Sequence, residues 1–304
     1  MGSAPVKLNT KLRTHLSKGN KILLLGSTGK LGIALSNVFC DDYSITGKNS
    51  KDFDAMNFEQ VRNLIKESKP DIVMNTVAFL GIDPCEKEPE KAFRLNALYP
   101  KLLAELSNKQ GFLLVHFSTD AVFNDTKGDF YTEEDCPQPL NVYGLTKYGA
   151  DCFIQAITKR YYIFRISVLF GETSKNTQFV EKMLLRVKEG NKILRISDDI
   201  IGSPTYSKDV AREVRRLIDN RYPFGLYHVA NEGKASLYDL MKDIAEKLNI
   251  DVKVKKASYK DFPFLGIKNT DTPIKSERIS SLRPWQEAVK EYCAKTNCKG
   301  QISW

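Results

Sequence analysis

Two side chains four residues apart, the phenol of Tyr143 and the ammonium of Lys147, lie in the run Val-Tyr-Gly-Leu-Thr-Lys-Tyr-Gly over residues 142–149. On a helix that spacing puts both on one face, about a turn apart. A neighbouring positive charge favours phenolate and so lowers a phenol's pKa. Such a tyrosine can hand a proton to a carbonyl oxygen as hydride reaches the carbon, and the reverse step uses the same groups. The lysine can also hold a ribose hydroxyl of the hydride donor. The chemistry in view is exchange between carbonyl and alcohol. A second pair with this spacing, Tyr238 and Lys242, stands in an amphipathic segment over 237–248. Alone, either pair is more often a solvated helix contact than a site, and at most one can be catalytic. The first follows a strand ending in Ser118-Thr119 and lies downstream of a glycine-rich turn. The second has neither companion, so its expected role is structural.

Such a pair needs a scaffold to present a cofactor to it. The apolar run 21–25 has the length of a buried strand. Gly26-Ser27-Thr28-Gly29-Lys30-Leu31-Gly32 follows, then residues 33–39 in helical spacing. Strand, glycine turn and helix is the context of a dinucleotide site: glycines let the backbone approach a pyrophosphate, and the helix start supplies free N–H groups. The spacing is G-x-x-G-x-x-G rather than G-x-G-x-x-G, and a tight turn alone would also favour glycine. Further strands are predicted over 43–46, 71–77, 112–118 and 162–170, and helices over 58–68, 89–108 and 142 to about 159. This alternation implies an α/β fold, a Rossmann-like doubly wound parallel sheet covered on both faces.

Beyond Gly171 the rhythm changes. Helices are predicted over 177–188, 207–220, 236–248 and 284–296, and extended pieces over 193–196, 225–230 and 252–257. Residues 198–204 read as a loop, and 258–275 as irregular and proline-containing. The expected organisation is a dinucleotide-binding domain over 20–171, to which 203–231 returns. A smaller C-terminal substrate lobe takes 172–202 and 232–304. Residues 1–19 form a basic arm without acidic residues, carrying Lys7, Lys11, Arg13 and Lys18. It starts like an expression leader and is expected to be disordered, a transit peptide being the weaker alternative.

Composition bounds the partners. Of 304 residues, 42% are hydrophobic and 27% charged, ordinary values for a globular protein. No apolar run approaches a membrane span, so no membrane partner is expected. The net charge of +9 is partly the arm and otherwise scattered. No basic block is interleaved with aromatics, so nucleic acid is not an expected partner; the bias suits an anionic ligand such as a nucleotide. Six cysteines form no C-x-x-C pair and have no histidine at metal-ligand spacing. Free thiols, a cytoplasmic location and no metal site are the economical reading. His116 and His228 sit in apolar, strand-like stretches, where packing is the expected role.

Thr119 closes a predicted strand and so lies at the carboxyl edge of the sheet, where doubly wound folds bind ligands. It can donate a hydrogen bond to the carbonyl that Tyr143 protonates; the plainer reading has Thr119 and Asp120 capping a turn. The second strand runs through Thr46 into Gly47-Lys48-Asn49 without a carboxylate. A carboxylate there would hold the ribose hydroxyls of NADH. Lys48, helped by Lys30, could instead meet a 2′-phosphate. NADPH is therefore the expected cofactor, with NADH the alternative.

Together these stretches resemble the extended short-chain dehydrogenase/reductase superfamily, and within it the dTDP-4-dehydrorhamnose reductase family. The resemblance is carried by the glycine turn, by Asp83-Pro84-Cys85-Glu86-Lys87-Glu88-Pro89 and by Leu95-Asn96-Ala97. It continues in Ser118-Thr119-Asp120-Ala121-Val122-Phe123, Pro139-Leu140-Asn141-Val142-Tyr143-Gly144 and Ile201-Gly202-Ser203-Pro204-Thr205-Tyr206. It implies a triad of Thr119, Tyr143 and Lys147. It implies cofactor contacts at Gly26, Thr28, Gly29, Lys30, Leu31, Asp54, Ala78, Phe79, Leu80 and Phe117, and a substrate facing Thr119, Asp120 and Val168. The implied reaction is reduction of a 4-keto group on a nucleotide-linked deoxysugar by NAD(P)H, without metal chemistry at the carbonyl. Family members can carry magnesium between subunits; no ligands for it are placed here, and a homodimer is compatible with the resemblance.

Two departures bear on the substrate. Ala121 and Val168 stand where the family usually has an aromatic residue and a tryptophan. The expectation is that dTDP-4-dehydrorhamnose is reduced poorly unless Phe79, Phe117 or Tyr206 supplies the missing face. Residues 165–171 look more like the regulatory beta subunit of methionine adenosyltransferase, which makes a nucleotide-binding regulatory subunit the non-enzyme alternative. A nucleotide-sugar epimerase or dehydratase is another; dehydratases normally carry an acidic pair where this chain has Thr119-Asp120.

Overall fold

Strand β1 (Lys21–Leu25) is buried at every residue but its first, as a continuous apolar run is inside a parallel sheet. The computed structural model describes residues 19–173, 175 and 178–298, so the basic arm lies outside them except for Gly19. The glycine turn leads into α1 (Lys30–Phe39), β2 (Ser44–Lys48), α2 (Phe58–Ser68) and β3 (Ile72–Asn75). The bounds of α2 are those expected, because both ends are written locally. The Asn57 side chain accepts the Gln60 N–H at its start, and Lys69 takes a left-handed conformation just before Pro70.

The helix expected over 89–108 divides. After α3 (Ile82–Lys87) and α4 (Pro89–Phe93) comes a π-helical turn, Arg94–Leu98, and then α5 (Tyr99–Gln110). Pro100 explains the widening. It has no N–H for the Asn96 carbonyl and its ring crowds that carbonyl, so the turn opens and the Tyr99 N–H reaches Arg94 O. Strand β4 (Leu113–Thr119) is buried throughout and ends in a 3-10 turn, Asp120–Val122. Next is α6 (Val142–Ile157), capped by Asn141, whose side chain accepts the Gly144 N–H. The strand expected over 162–170 is cut short: β5 (Tyr161–Ile166) stops, the backbone turns at Val168 to a φ of +34°, and β6 (Leu169–Phe170) leaves the main sheet.

The remaining elements are α7 (Phe179–Lys188), β7 (Ile193–Ser197), β8 (Ile201–Gly202), β9 (Thr205–Tyr206), α8 (Ser207–Asp219), β10 (Gly225–His228), β11 (Ala235–Ser236), α9 (Leu237–Lys247), β12 (Lys253–Ala257) and α10 (Trp285–Cys298). Residue 177, the expected start of α7, lies outside the described residues. A capping box between Ser236 and Asp239 starts α9.

Six parallel strands make one sheet in the order β10-β5-β4-β3-β1-β2. Strand β2 lies on one side of β1 and β3 on the other, so a crevice opens at their carboxyl ends. Alternate residues feed opposite cores. Ile22, Leu24 and Met74 pack with Leu35 of α1 and Val214 of α8, while Leu23, Leu25 and Val73 pack with Ile65 of α2, Leu103 of α5 and Ile154 of α6. A third core joins Leu184 of α7, Ile196 of β7, Met241 of α9 and Val289 of α10. The short strands pair separately: β12 with β7 and β6 with β9 in parallel, β11 with β8 antiparallel.

Candidate active site

The glycine turn is held from below. The N–H groups of Gly26 and Ser27 donate to Lys48 O at 2.8 and 3.1 Å. Gly26 has a φ of +86°, and a Cβ on Gly32 would lie 2.3 Å from Gly26 O, so no larger residue lets α1 seat on the turn. The first residue before α1, Gly29, makes no side-chain cap, and the first turn holds no acid. Backbone N–H groups and the positive dipole end of α1 are thus left for an anion, which fits a dinucleotide pyrophosphate.

A cavity of about 530 Å³ runs from this turn, past Thr76, Ala78 and Leu80, to Asn49, Phe53 and Asp54. A second chamber, about 270 Å³, shares Gly29, Lys30, Thr76, Ala78, Leu80 and Gln178 with it. Leu31, Phe117, Thr119, Asp120, Tyr143, Lys147 and Val168 are among the residues that form the rest of its wall. Most residues singled out from the sequence therefore border one continuous crevice, Gly26, Thr28 and Asp54 on the larger cavity. Lys48 and Phe79 line neither cavity. Lys48 contributes its carbonyl to the turn, and Phe79 is fixed through its backbone by Asn96, whose Oδ1 accepts the Phe79 N–H and whose Nδ2 donates to Phe79 O. Lys30 is also placed otherwise than expected for a phosphate ligand. Its Nζ lies 3.0 Å from Glu181 of α7 and donates to Leu169 O, so its charge is satisfied inside the protein.

The chemistry-bearing end is built at the carboxyl edge of β4. The Thr119 hydroxyl donates to Asp120 Oδ1 at 3.0 Å and accepts the Ala121 N–H. Asp120 Oδ2 accepts from Ser167 Oγ at 2.5 Å and from Thr272 Oγ1 at 3.2 Å. Burial raises the Asp120 carboxyl above its usual range, and these hydroxyls oppose the rise. Ser167, Thr272, Gln178 and Asn96 carried no functional role in the sequence reading; their parts depend on contacts across 17 to 152 positions of chain.

The phenol of Tyr143 corrects the expectation of a lowered pKa. Burial raises it, the charge of Asp120 adds to the rise, and the Thr119 hydroxyl works against it. Lys147 gives no relief because its Nζ is drawn elsewhere: it donates to Phe117 O at 2.6 Å and lies 3.3 Å from His116 Nε2. Burial pulls Lys147 down to about 8, with Asp151 pulling upward. The second pair stands apart from the crevice. Lys256 sits over the Tyr238 ring, Lys242 pairs with Glu246, and neither Tyr238 nor Lys242 borders the crevice.

Of the two departures, Val168 lines the smaller chamber, but Ala121 is buried behind it, with its carbonyl against Gly144. Among the aromatic alternatives Phe117 lines the chamber, whereas Tyr206 is buried, stacked on Phe170 and bonded to Glu172.

Comparison with known proteins agrees with this architecture. The family model described as the RmlD substrate binding domain matches residues 20–298. The spore coat polysaccharide biosynthesis protein SpsK of Bacillus subtilis is 33% identical over 277 residues, covering 90% of this chain and 96% of that protein. A dTDP-4-dehydrorhamnose reductase from Aggregatibacter actinomycetemcomitans is 29% identical, covering 89% of this chain and 97% of the relative. Among solved structures, the Bacillus anthracis dTDP-4-dehydrorhamnose reductase in complex with NADP superposes with a TM-score of 0.86 at 28% identity, over 91% of this chain and all of that one. The Clostridium acetobutylicum reductase gives 0.85 at 30% identity, over 91% of this chain and 99% of that one. A match over nearly the whole length, on a glycine turn and carboxyl-edge crevice of the kind described, means that the chain belongs to the RmlD substrate-binding domain family of extended short-chain dehydrogenases/reductases.

Proposed function

We propose that the protein is an NADPH-dependent oxidoreductase that reduces the 4-keto group of a nucleotide-linked deoxysugar, as its relatives named dTDP-4-dehydrorhamnose reductase do. The observation that carries this reading is the chamber in which Thr119, Tyr143 and Lys147 meet, opening directly onto the glycine turn. NADPH supplies hydride when bound. The start of α1 would hold its pyrophosphate, with Ala78 and Leu80 along one wall and Asp54 at the far end. Tyr143 is the proton donor. Its raised pKa keeps the phenol protonated through neutral pH, so the proton is present when the carbonyl oxygen needs it. Thr119 would orient the same oxygen by turning its one hydroxyl hydrogen from Asp120 to the substrate, and Asp120 faces the sugar. Lys147 as an ammonium steadies the phenolate that Tyr143 becomes.

The dinucleotide part is read as 20–171 with 203–231, and the substrate lobe as the remainder up to 304. A cytoplasmic location fits a nucleotide-sugar substrate, and no helix among the described residues is long and apolar enough to cross a membrane. The test is nicotinamide absorbance with a panel of 4-keto nucleotide sugars that includes dTDP-4-dehydrorhamnose. Since Ala121 does not face the chamber and Phe117 does, only Val168 remains as a reason for poor reduction of that sugar. Absence of NADPH oxidation with every sugar in the panel overturns the reading.

A further inference from the structure

His116 is wholly buried in β4 and its ring spans two partners. On one side Asn75 Nδ2 lies 3.1 Å from Nδ1. The amide of Asn75 is oriented, because its Oδ1 accepts the Val77 N–H at 3.1 Å. Nδ2 is therefore the atom facing the ring, and since it can only donate, Nδ1 accepts. A neutral imidazole with an accepting Nδ1 carries its proton on Nε2. That nitrogen faces Lys147 Nζ at 3.3 Å. An ammonium offers only donors, so Nε2–H and an ammonium would confront each other; an amine can accept. Lys147 keeps its other contact, donation to Phe117 O, in either form.

The other groups around Lys147 do not reverse this. Asp151, one turn along α6, is paired with Arg165 of β5 at 3.0 Å. Tyr143, one turn back, holds its proton, and Asp120 at the end of β4 is bonded to Ser167 and Thr272. Burial already draws Lys147 down to about 8, and the facing N–H acts in the same direction. His116 cannot relieve the conflict by charging, because burial and Lys147 hold its own pKa far below the usual value.

We propose that His116 is a positioning residue for Lys147: with its proton fixed on Nε2 by Asn75, it donates to Lys147 Nζ and holds that side chain on the Phe117 carbonyl as a neutral amine in the free protein. To serve a ribose hydroxyl and the Tyr143 phenolate, Lys147 must take one proton from solvent, become an ammonium and release His116. Cofactor binding above neutral pH is then coupled to uptake of that proton. This second part rests on the function proposed above; the first part does not.

The two parts are tested separately. Nitrogen-15 spectra of the imidazoles in the free protein read which nitrogen carries each proton. His228 serves as an internal contrast, because its Nδ1 faces the carbonyls of Tyr131 and Lys275 and so must be the protonated nitrogen. Opposite tautomers are expected, Nε2–H at His116 and Nδ1–H at His228; an Nδ1–H signal at His116 overturns the proposal. Calorimetric titration with NADPH at about pH 7.5, where burial alone would leave Lys147 mostly charged, in buffers of different ionisation enthalpy, is expected to show uptake of most of one proton per cofactor. In His116→Gln the side-chain carbonyl can accept from an ammonium, and the uptake is expected to shrink to a minor fraction. The parent spectrum decides the first part even if that variant does not fold. NADPH binding without proton uptake overturns the coupling, whereas failure of NADPH to bind at all overturns the proposed function and leaves the spectrum to judge His116.

Discussion

Tyr143 and Lys147 sit on one helical face as their spacing requires, yet in the free protein they do not act on each other. Lys147 faces inward to Phe117 and His116. Removing the Tyr143 hydroxyl in Tyr143→Phe is expected to leave folding and NADPH affinity intact and lower kcat by about 10²-fold or more, while Tyr238→Phe keeps the parent rate. Wild-type turnover in the first with loss in the second would mean that the wrong pair was chosen. Burial draws Lys147 down to about 8, the facing His116 N–H draws it further, and only its charged form serves Tyr143. The kcat/KM for NADPH in the reductive direction is therefore expected to fall as pH rises through neutrality toward about 8; a profile flat to about pH 10 would exclude Lys147 as the titrating group. Cofactor choice also has a residue-scale test. Lys48 ends β2 beside Asn49 of the larger cavity. Lys48→Glu puts a carboxylate where it can take ribose hydroxyls, so the ratio of kcat/KM for NADPH over NADH is expected to drop, and an unchanged ratio would remove Lys48 from the account.

Helices α1 and α7 meet through one buried charge pair, Lys30 and Glu181, both nearly inaccessible. Replacing the Glu181 carboxylate by an apolar group leaves the Lys30 ammonium buried with only the Leu169 carbonyl. Glu181→Leu is expected to lower unfolding stability by about 3–5 kcal/mol, and the double change Lys30→Met/Glu181→Leu to recover most of it; denaturant melts read both. This contact shows where sequence reading stops. The sequence offers Lys30 as a helper of Lys48 at a 2′-phosphate, but its partner is 151 residues away. Elements with local signals were legible: α2 between Asn57 and Pro70, β1 from its apolar run, α6 from Asn141 onward. The π turn before α5 was not, because the apolar spacing over 89–108 stays helical across Pro100. The break at Val168 is hidden because strand-forming residues, Ile163, Phe164 and Ile166 before it and Leu169 and Phe170 after it, stand on both sides. At the site, chain-local features marked Gly26–Gly32, Thr119, Tyr143 and Lys147, whereas Asn96, Ser167, Thr272 and the role of His116 appear only when strands are set side by side.

On the scale of the molecule, acid should loosen the fold through its buried histidines. Burial lowers His228 from the usual 6.5 to about 4. Between those values the unfolded chain binds more protons than the folded one, so stability rises with pH across the window and is lost as pH falls through it. The full effect is of order 3 kcal/mol, and His116 is shifted in the same direction. Thermal melts from about pH 7 to pH 4 are expected to show a falling midpoint, with a shallower slope in His228→Gln; equal slopes would assign the acid sensitivity elsewhere. The sheet itself is assembled out of chain order. Its edge strand β10, and the helix α8 that covers α1, come only after β6, α7 and β7 have run through the other core. On the ribosome, then, Leu31, Ala34 and Leu35 of α1 are synthesised long before Val210, Val214 and Leu217 exist to cover them. The nascent first half must wait with an apolar helix face open to chaperones, and the sheet can close only when residue 228 has left the exit tunnel.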